Sequence, residues 1–194
     1  MNLRSLISHL WLVILVAVFL PLSAKASDVP QWQINQNQSS ISFTATQNNA
    51  PVSGQFKRFS GDIHFDADQL ADSHVDITVE MDSINVSYKE LLETLKTADW
   101  FNIKRFPHAE FKSKEIIKLA DQSYQAKGDL TIRDKTQPFT ITFNIDNQKA
   151  DTLHIKGSTI IHRTFFGIGQ GDWASTDEIK DDVQVKFDLT LTRL

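Results

Sequence analysis

Residues 182–193 read DVQVKFDLTLTR. Val183, Val185, Phe187, Leu189 and Leu191 alternate strictly with Gln184, Lys186, Asp188, Thr190 and Thr192. A period of two over such a length is that of a strand with one face on a core and the other in water. The same rhythm recurs back along the chain. Phe139, Ile141, Phe143 and Ile145 form one inward set, and Leu153, Ile155, Gly157, Thr159 and Ile161 another. Val75, Ile77, Val79 and Met81 form a fourth, and Ile41, Phe43 and Ala45 a fifth. Between Val52 and Asp66 lie two sets, Val52-Gly54-Phe56 and Phe59-Gly61-Ile63-Phe65. Their parity shifts at Lys57 and Arg58, which predicts a bulge or bend there. Segments near 109–118 and 123–133 complete about eight strands, with turn chemistry in DADQLADS, ADQS and DNQKADT.

Strands of about twelve residues, at 152–163 and 182–193, would each run ~40 Å, well beyond the usual length. Long antiparallel strands with one apolar face favour an elongated up-and-down barrel. Eight strands make such a barrel just wide enough to be filled by side chains or to hold one small ligand. The expected fold is all-β: an elongated eight-stranded antiparallel barrel with one short helix.

That helix is Ser87–Lys96, SYKELLETLK, with Tyr88, Leu91, Leu92 and Leu95 at helical spacing. Ser87 would be its N-cap and Glu90 the partner in a capping box. It leads into DWFNIKRFPHAEF (99–111), which carries Trp100, Phe101, Phe106 and Phe111 and has no regular period. This segment would plug one barrel end, with Trp100, Phe101 and Phe106 as a lid and Pro107 holding the chain extended before a strand at Ala109. The rings could equally seal the barrel without touching a ligand.

The N-terminus reads as a cleaved secretory signal. Arg4 is a weakly basic start, an apolar run is clearest from Leu10 to Leu20, and Pro21 breaks it. Ala24-Lys25-Ala26 supplies the small residues that a signal peptidase requires. The run is shorter than the ~20 residues that span a bilayer. We expect residues 1–26 to be removed and 27–194 to form one soluble domain. The leader carries Arg4 and Lys25 and no acid, so the formal charge of −4 becomes −6. That sign gives no general attraction to phosphate backbones or anionic lipid surfaces, and no nucleic-acid partner is expected. The absence of cysteine excludes disulfides, thiolate metal sites and a cysteine nucleophile.

Enzyme signatures are wanting. His64, His74, His108, His154 and His162 include no pair at HxxxH spacing. His64-x-Asp66 and His74-x-Asp76 each share a strand face, but each lacks a third ligand. There is no Gly-x-Ser-x-Gly elbow, P-loop or dinucleotide fingerprint. The G-x-G-x-G of 167–171 lacks the strand-to-helix setting of a nucleotide fold. We expect no catalysis, cofactor or metal.

Three motifs carry a resemblance. ADWFNIKRFPHAEFKS (98–113), GDLTIRDKTQPFTITF (128–143) and RTFFGIG (163–169) stand in order, and a Val-x-Val-x-Phe strand closes the chain. Together they resemble the bacterial YceI-like family of exported proteins, over nearly all of the mature chain. The resemblance implies a lipocalin-like barrel with a long apolar tunnel, located in the periplasm. It implies binding or carriage of a polyisoprenoid or similar long-chain lipid, such as an isoprenoid quinone, with a membrane redox protein as a possible partner. GQGDWASTDEIKDD (169–182) departs from the family pattern and leaves head-group preference open.

The residues expected at the ligand are Phe43, Phe56, Phe65, Ile77, Val79, Trp100, Phe101, Phe106, Phe111, Phe143, Gly157, Arg163, Phe165, Phe166 and Phe187. Glycine at the inward positions 54, 61 and 157 would leave space that close packing otherwise fills. Arg163 continues the inward parity of 153–161, and a buried arginine must be paired. It would pair with an acid such as Asp172, Asp181 or Asp182, or face a ligand head group. The competing expectation is a periplasmic stress or interaction protein with a solid barrel, docking a partner through the acidic 172–182 loop.

Overall fold

A computed structural model describes residues 29–120 and 122–194. The expected signal segment lies outside these residues. Eleven strand segments form one sheet: β1 (Gln31–Ile34), β2 (Ser40–Gln47), β3 (Ala50–Phe56), β4 (Phe59–His64), β5 (His74–Glu80), β6 (Ile84–Val86), β7 (His108–Ala120), β8 (Ser123–Ile132), β9 (Lys135–Lys149), β10 (Thr152–His162) and β11 (Asp182–Arg193). The first six are three bent strands, β1/β2, β3/β4 and β5/β6, each broken by a short irregularity. The result is eight antiparallel staves in sequence order. Closure comes from β11, which pairs with β2 through Phe187↔Ile41 and with β1 through Leu191↔Ile34. The alternation of 183–191 thus marks the stave that closes the barrel.

The predicted break at Lys57 and Arg58 separates β3 from β4. Its exposed backbone is satisfied by buried Ser83, whose Oγ accepts from the N–H groups of Lys57 (3.2 Å) and Arg58 (3.0 Å). A second parity change was not foreseen. In β7, Ala109 and Phe111 point inward but so does Ile116, because the ladder with β8 slips between Ser113 and Glu115. A bulge that adds one residue turns odd positions into even ones.

The helix α1 is Lys89–Lys96, two residues shorter at its start than expected. Ser87 is not its N-cap. β6 keeps the chain extended to Val86, Tyr88 is itself extended (φ −112°, ψ 127°), and no side chain caps the first turn. Tyr88 therefore falls outside the helical face and is exposed. β6 pairs with β3 alone and α1 packs beside it.

One other interruption bears on the site. β9 pairs with β10 only from Phe143 onward, so 135–142 and 158–162 form no ladder with each other. This seam explains how Pro138 is tolerated within a long strand: it sits where one edge of β9 has no partner.

Candidate functional site

The inward faces of the staves are not buried evenly. At one end Trp32, Phe65, Tyr124, Leu153 and Leu191 are all buried. The rings of Phe65, Tyr124 and Phe143 pack together there, with centroids 5.4–6.1 Å apart. Towards the other end the same alternation continues, but Thr159, Ile161, Val183, Val185 and Phe187 are only half buried. They face a cavity of about 320 Å³ inside the barrel. That volume is at the lower end of the range for small-molecule sites. The barrel is therefore packed in one half and hollow in the other, and the solid-barrel expectation does not hold.

The cavity wall is almost wholly apolar. Its polar side chains are Gln47, Thr94, Thr159 and Arg163, and Arg163 is its one titratable group among the described residues. Leu91 and Leu95 of α1, with Trp100 and Phe101, form the wall at the hollow end. The expected plug is thus present. Phe101 packs edge-on to Phe56 at 6.3 Å, and Trp100 meets Trp173 at 5.8 Å.

Ten of the expected site residues line the cavity: Phe43, Phe56, Ile77, Val79, Trp100, Phe101, Phe111, Phe143, Arg163 and Phe187. The other five do not. Phe65 belongs to the packed end. Phe106 lies between Arg105 and Arg133, whose guanidinium carbons stand 5.2 and 5.7 Å from its ring centre. Phe165 projects into solvent and Phe166 is buried, because a 3-10 turn at Arg163–Phe166 ends the strand and cancels its parity.

Gly157 is the fifth, and it corrects the reading of the inward glycines. A Cβ on Gly157 would stand 2.2 Å from Phe187 Cζ and 2.6 Å from the Thr142 carbonyl oxygen. A Cβ on Gly54 would stand 2.4 Å from Phe43 Cζ. Both rings belong to the directly opposed residue of the next strand. These glycines make room for an aromatic neighbour, not for a ligand. Gly61 differs in degree: its Cβ would meet Ile77 Cδ1 at 2.9 Å.

Arg163 is 2% exposed and inward, as its parity predicts, but it pairs with no acid. Its guanidinium donates to five main-chain carbonyls: Ile168 (2.9 Å) and Gly169 (3.3 Å) from Nη1, Ser175 (2.8 Å) and Ile179 (2.9 Å) from Nη2, and Lys180 (3.3 Å) from Nε. Five donors in a planar fork suit five carbonyls converging from one loop. Burial holds the guanidinium below the usual arginine range, and the charge of Asp181 opposes that shift. Asp181 itself binds the Thr164 N–H (2.9 Å), so the expected ion pair is replaced by carbonyls that the loop brings closer.

The loop can curl in this way because Gly167, Gly169 and Gly171 all have positive φ (63°, 76° and 62°). The G-x-G-x-G that failed as a nucleotide motif is thus the signal for this wrap. The plug and the loop are tied together. The Asp99 carbonyl accepts from the N–H groups of Gly169 and Gln170, both at 2.8 Å. Arg133 Nη1 donates to the carbonyls of Trp100 (2.6 Å) and Gly167. Arg133 was missed by sequence reading; it sits in the β8–β9 turn at φ 58°, where only its placement beside the plug gives it a role. Trp100 Nε1 and Arg133 Nε are buried without a hydrogen-bond partner.

A model of the YceI-like domain matches residues 32–191, nearly the whole barrel. The chain belongs to the YceI-like family. It is 30% identical over 129 residues to a UPF0312 protein of Vibrio parahaemolyticus, covering 65% of this chain and 67% of the relative. A UPF0312 protein of Photorhabdus laumondii is 31% identical over 98 residues, half of each chain. Among solved structures, BcnA of Burkholderia cenocepacia superposes with a TM-score of 0.77 at 30% identity, covering 81% of this chain and 98% of that one. A polyisoprenoid-binding domain of Saccharophagus degradans, implicated in plant cell wall breakdown, shares the fold at a TM-score of 0.69 and 12% identity, covering 85% and 99%.

Proposed function

We propose that this YceI-like protein binds one long apolar lipid tail in the hollow half of its barrel, and that the tail is an isoprenoid chain. The cavity carries the reading: a wall of aliphatic and aromatic side chains whose single cation is already engaged by the main chain. Burial of a hydrocarbon at ~25 cal/mol per Å² would supply the affinity. That contribution is non-directional, so chain selectivity rests on length and width. The polyisoprenoid binding of the Saccharophagus neighbour is the ground for choosing the isoprenoid class.

A polar head group, quinone or otherwise, would stay at the mouth or outside, because Arg163 has no donor left to offer it. We read the protein as a binder and carrier, not an enzyme. A wall with one titratable group, itself fully engaged, supports that reading, since general acid–base chemistry needs a group free to exchange protons. The signal pattern of residues 1–26 supports export to the periplasm.

Native mass spectrometry of protein recovered from its own periplasm, followed by lipid extraction, tests the proposal. One long-chain isoprenoid per protein is expected. Empty protein that also fails to take up an added polyprenyl chain would overturn it. N-terminal sequencing should find Ser27; intact Met1 in a membrane pellet would refute export by cleavage.

A further inference from the structure

His64 and His74 are directly opposed in the β4–β5 ladder, and their rings stack at 4.6 Å. Asp62, two residues before His64, lies on the same outer face of the barrel. Its carboxylate reaches both rings: Oδ1 is 3.3 Å from His64 Nε2 and Oδ2 is 3.6 Å from His74 Nε2. One ligand atom from each residue falls within 4.8 Å of the other two. In sequence, each histidine lacked a third ligand. Pairing of β4 with β5 supplies it from a residue that neither spacing pointed to.

We propose that Asp62, His64 and His74 bind one divalent transition-metal ion, with zinc the best match. Two imidazoles and a carboxylate are a donor set that zinc takes readily, at ~2.0–2.1 Å for nitrogen and ~2.0–2.2 Å for oxygen. Tetrahedral ligands at those distances stand about 3.3–3.5 Å apart, close to the two O···N separations present. The rings must leave their stack to aim both Nε2 atoms at one point. Both side chains are partly exposed, at 31% and 42%, and can rotate to do so. Gln31 Nε2 donates to Asp62 Oδ1 at 3.4 Å and would steady the carboxylate from outside. The fourth position stays open to water.

A second group, His162 with Asp181 and Asp182, also brings its ligand atoms within 4.8 Å. It offers one imidazole, and Asp181 Oδ1 is already bound to the Thr164 N–H. Its chemistry is the weaker match for zinc, and it provides the internal control.

The test titrates untagged, metal-free protein with Zn²⁺ by calorimetry and with Co²⁺ by visible absorption. One tight zinc ion and the intense bands of four-coordinate cobalt are expected. Changes outside the ligand shell alone cost about 10–100-fold in affinity. His64→Ala and His74→Ala should therefore weaken zinc by at least ~100-fold, and Asp62→Asn less so. Circular dichroism should be unchanged, because all three side chains lie on the outer wall. His162→Ala should leave the tight site intact. Zinc affinity that survives His64→Ala and His74→Ala, or that disappears with His162→Ala, would overturn the assignment. Since the site is on the outside of the barrel, its fate is independent of whether the cavity holds a lipid.

Discussion

Phe187 lies across Gly157, its directly opposed partner in the β10–β11 ladder, with Cζ 2.2 Å from where a Cβ would stand. The pair sits where the packed half of the barrel gives way to the hollow half. A side chain at 157 would have to move both the ring and the backbone of Thr142. Gly157→Ala should cost about 1–3 kcal/mol by urea unfolding. Adding Phe187→Leu should recover only part, because the Thr142 carbonyl remains. Gly61→Ala, which meets only side-chain atoms of Ile77 (2.9 Å) and Ile63 (3.1 Å) and no backbone, should cost least. Gly128→Ala should cost most, since its Cβ would stand 2.0 Å from the Lys112 carbonyl oxygen. An equal cost at all three positions would refute this ordering.

Arg163→Met strips five carbonyls of their donor while the loop stays anchored at Asp99 and Thr46. Unpaired buried groups cost about 1–3 kcal/mol each, and water entering the loop will offset some of that. A net loss of roughly 3–5 kcal/mol is expected, with proteolysis appearing between 167 and 181. Arg163→Lys should rescue little, because one ammonium cannot reach carbonyls that a fork spans. Replacing Asp181 in the Met variant should not restore stability. Recovery would show that an ion pair is the true partner.

Trp32 and Trp100 are both buried, at 4% and 8% exposure, but their indoles differ. Trp32 Nε1 donates to the Phe65 carbonyl at 2.9 Å, whereas Trp100 Nε1 has no partner. Removing a satisfied donor strands its acceptor, while removing an orphaned one relieves a desolvation cost. Trp32→Phe should destabilise by about 1–3 kcal/mol and Trp100→Phe by clearly less. The comparison of midpoints in one denaturant series decides it.

Val185 is half buried and faces the cavity. Val185→Trp should fill that space, lowering uptake of a polyprenyl chain tenfold or more while stability stays within about 0.5 kcal/mol. A loss of about 1–3 kcal/mol with unchanged uptake would mean that the ring was forced into packed core instead.

How much of this was legible in the chain varies with the physics involved. Strand alternation reports which side chains face inward, because the pleat fixes direction locally. It therefore pointed Arg163 and Phe187 inward, as observed, and marked the strand at 182–193 and even the kink at Lys57–Arg58. It could not say whether an inward side chain meets a neighbour or a void, since that depends on residues far away in sequence. The glycines show this best: Gly54 and Gly157 read as empty space until Phe43 and Phe187 were seen to occupy it. Phe165 and Phe166 were misassigned because a turn ends the period without any break in hydrophobicity.

Composition and periodicity by themselves determined an all-β chain of about eight antiparallel strands, two of them long, with one short helix leading into an aromatic segment, because those follow from local sterics and solvent preference. The family followed from motifs in order along the chain. Only the tertiary structure decided that the barrel is hollow in one half and packed in the other, that Arg163 is held by carbonyls in place of a carboxylate, and that Asp62 joins His64 and His74. Each of these depends on distances between residues brought together by closure of the sheet, and no local rule carries such distances.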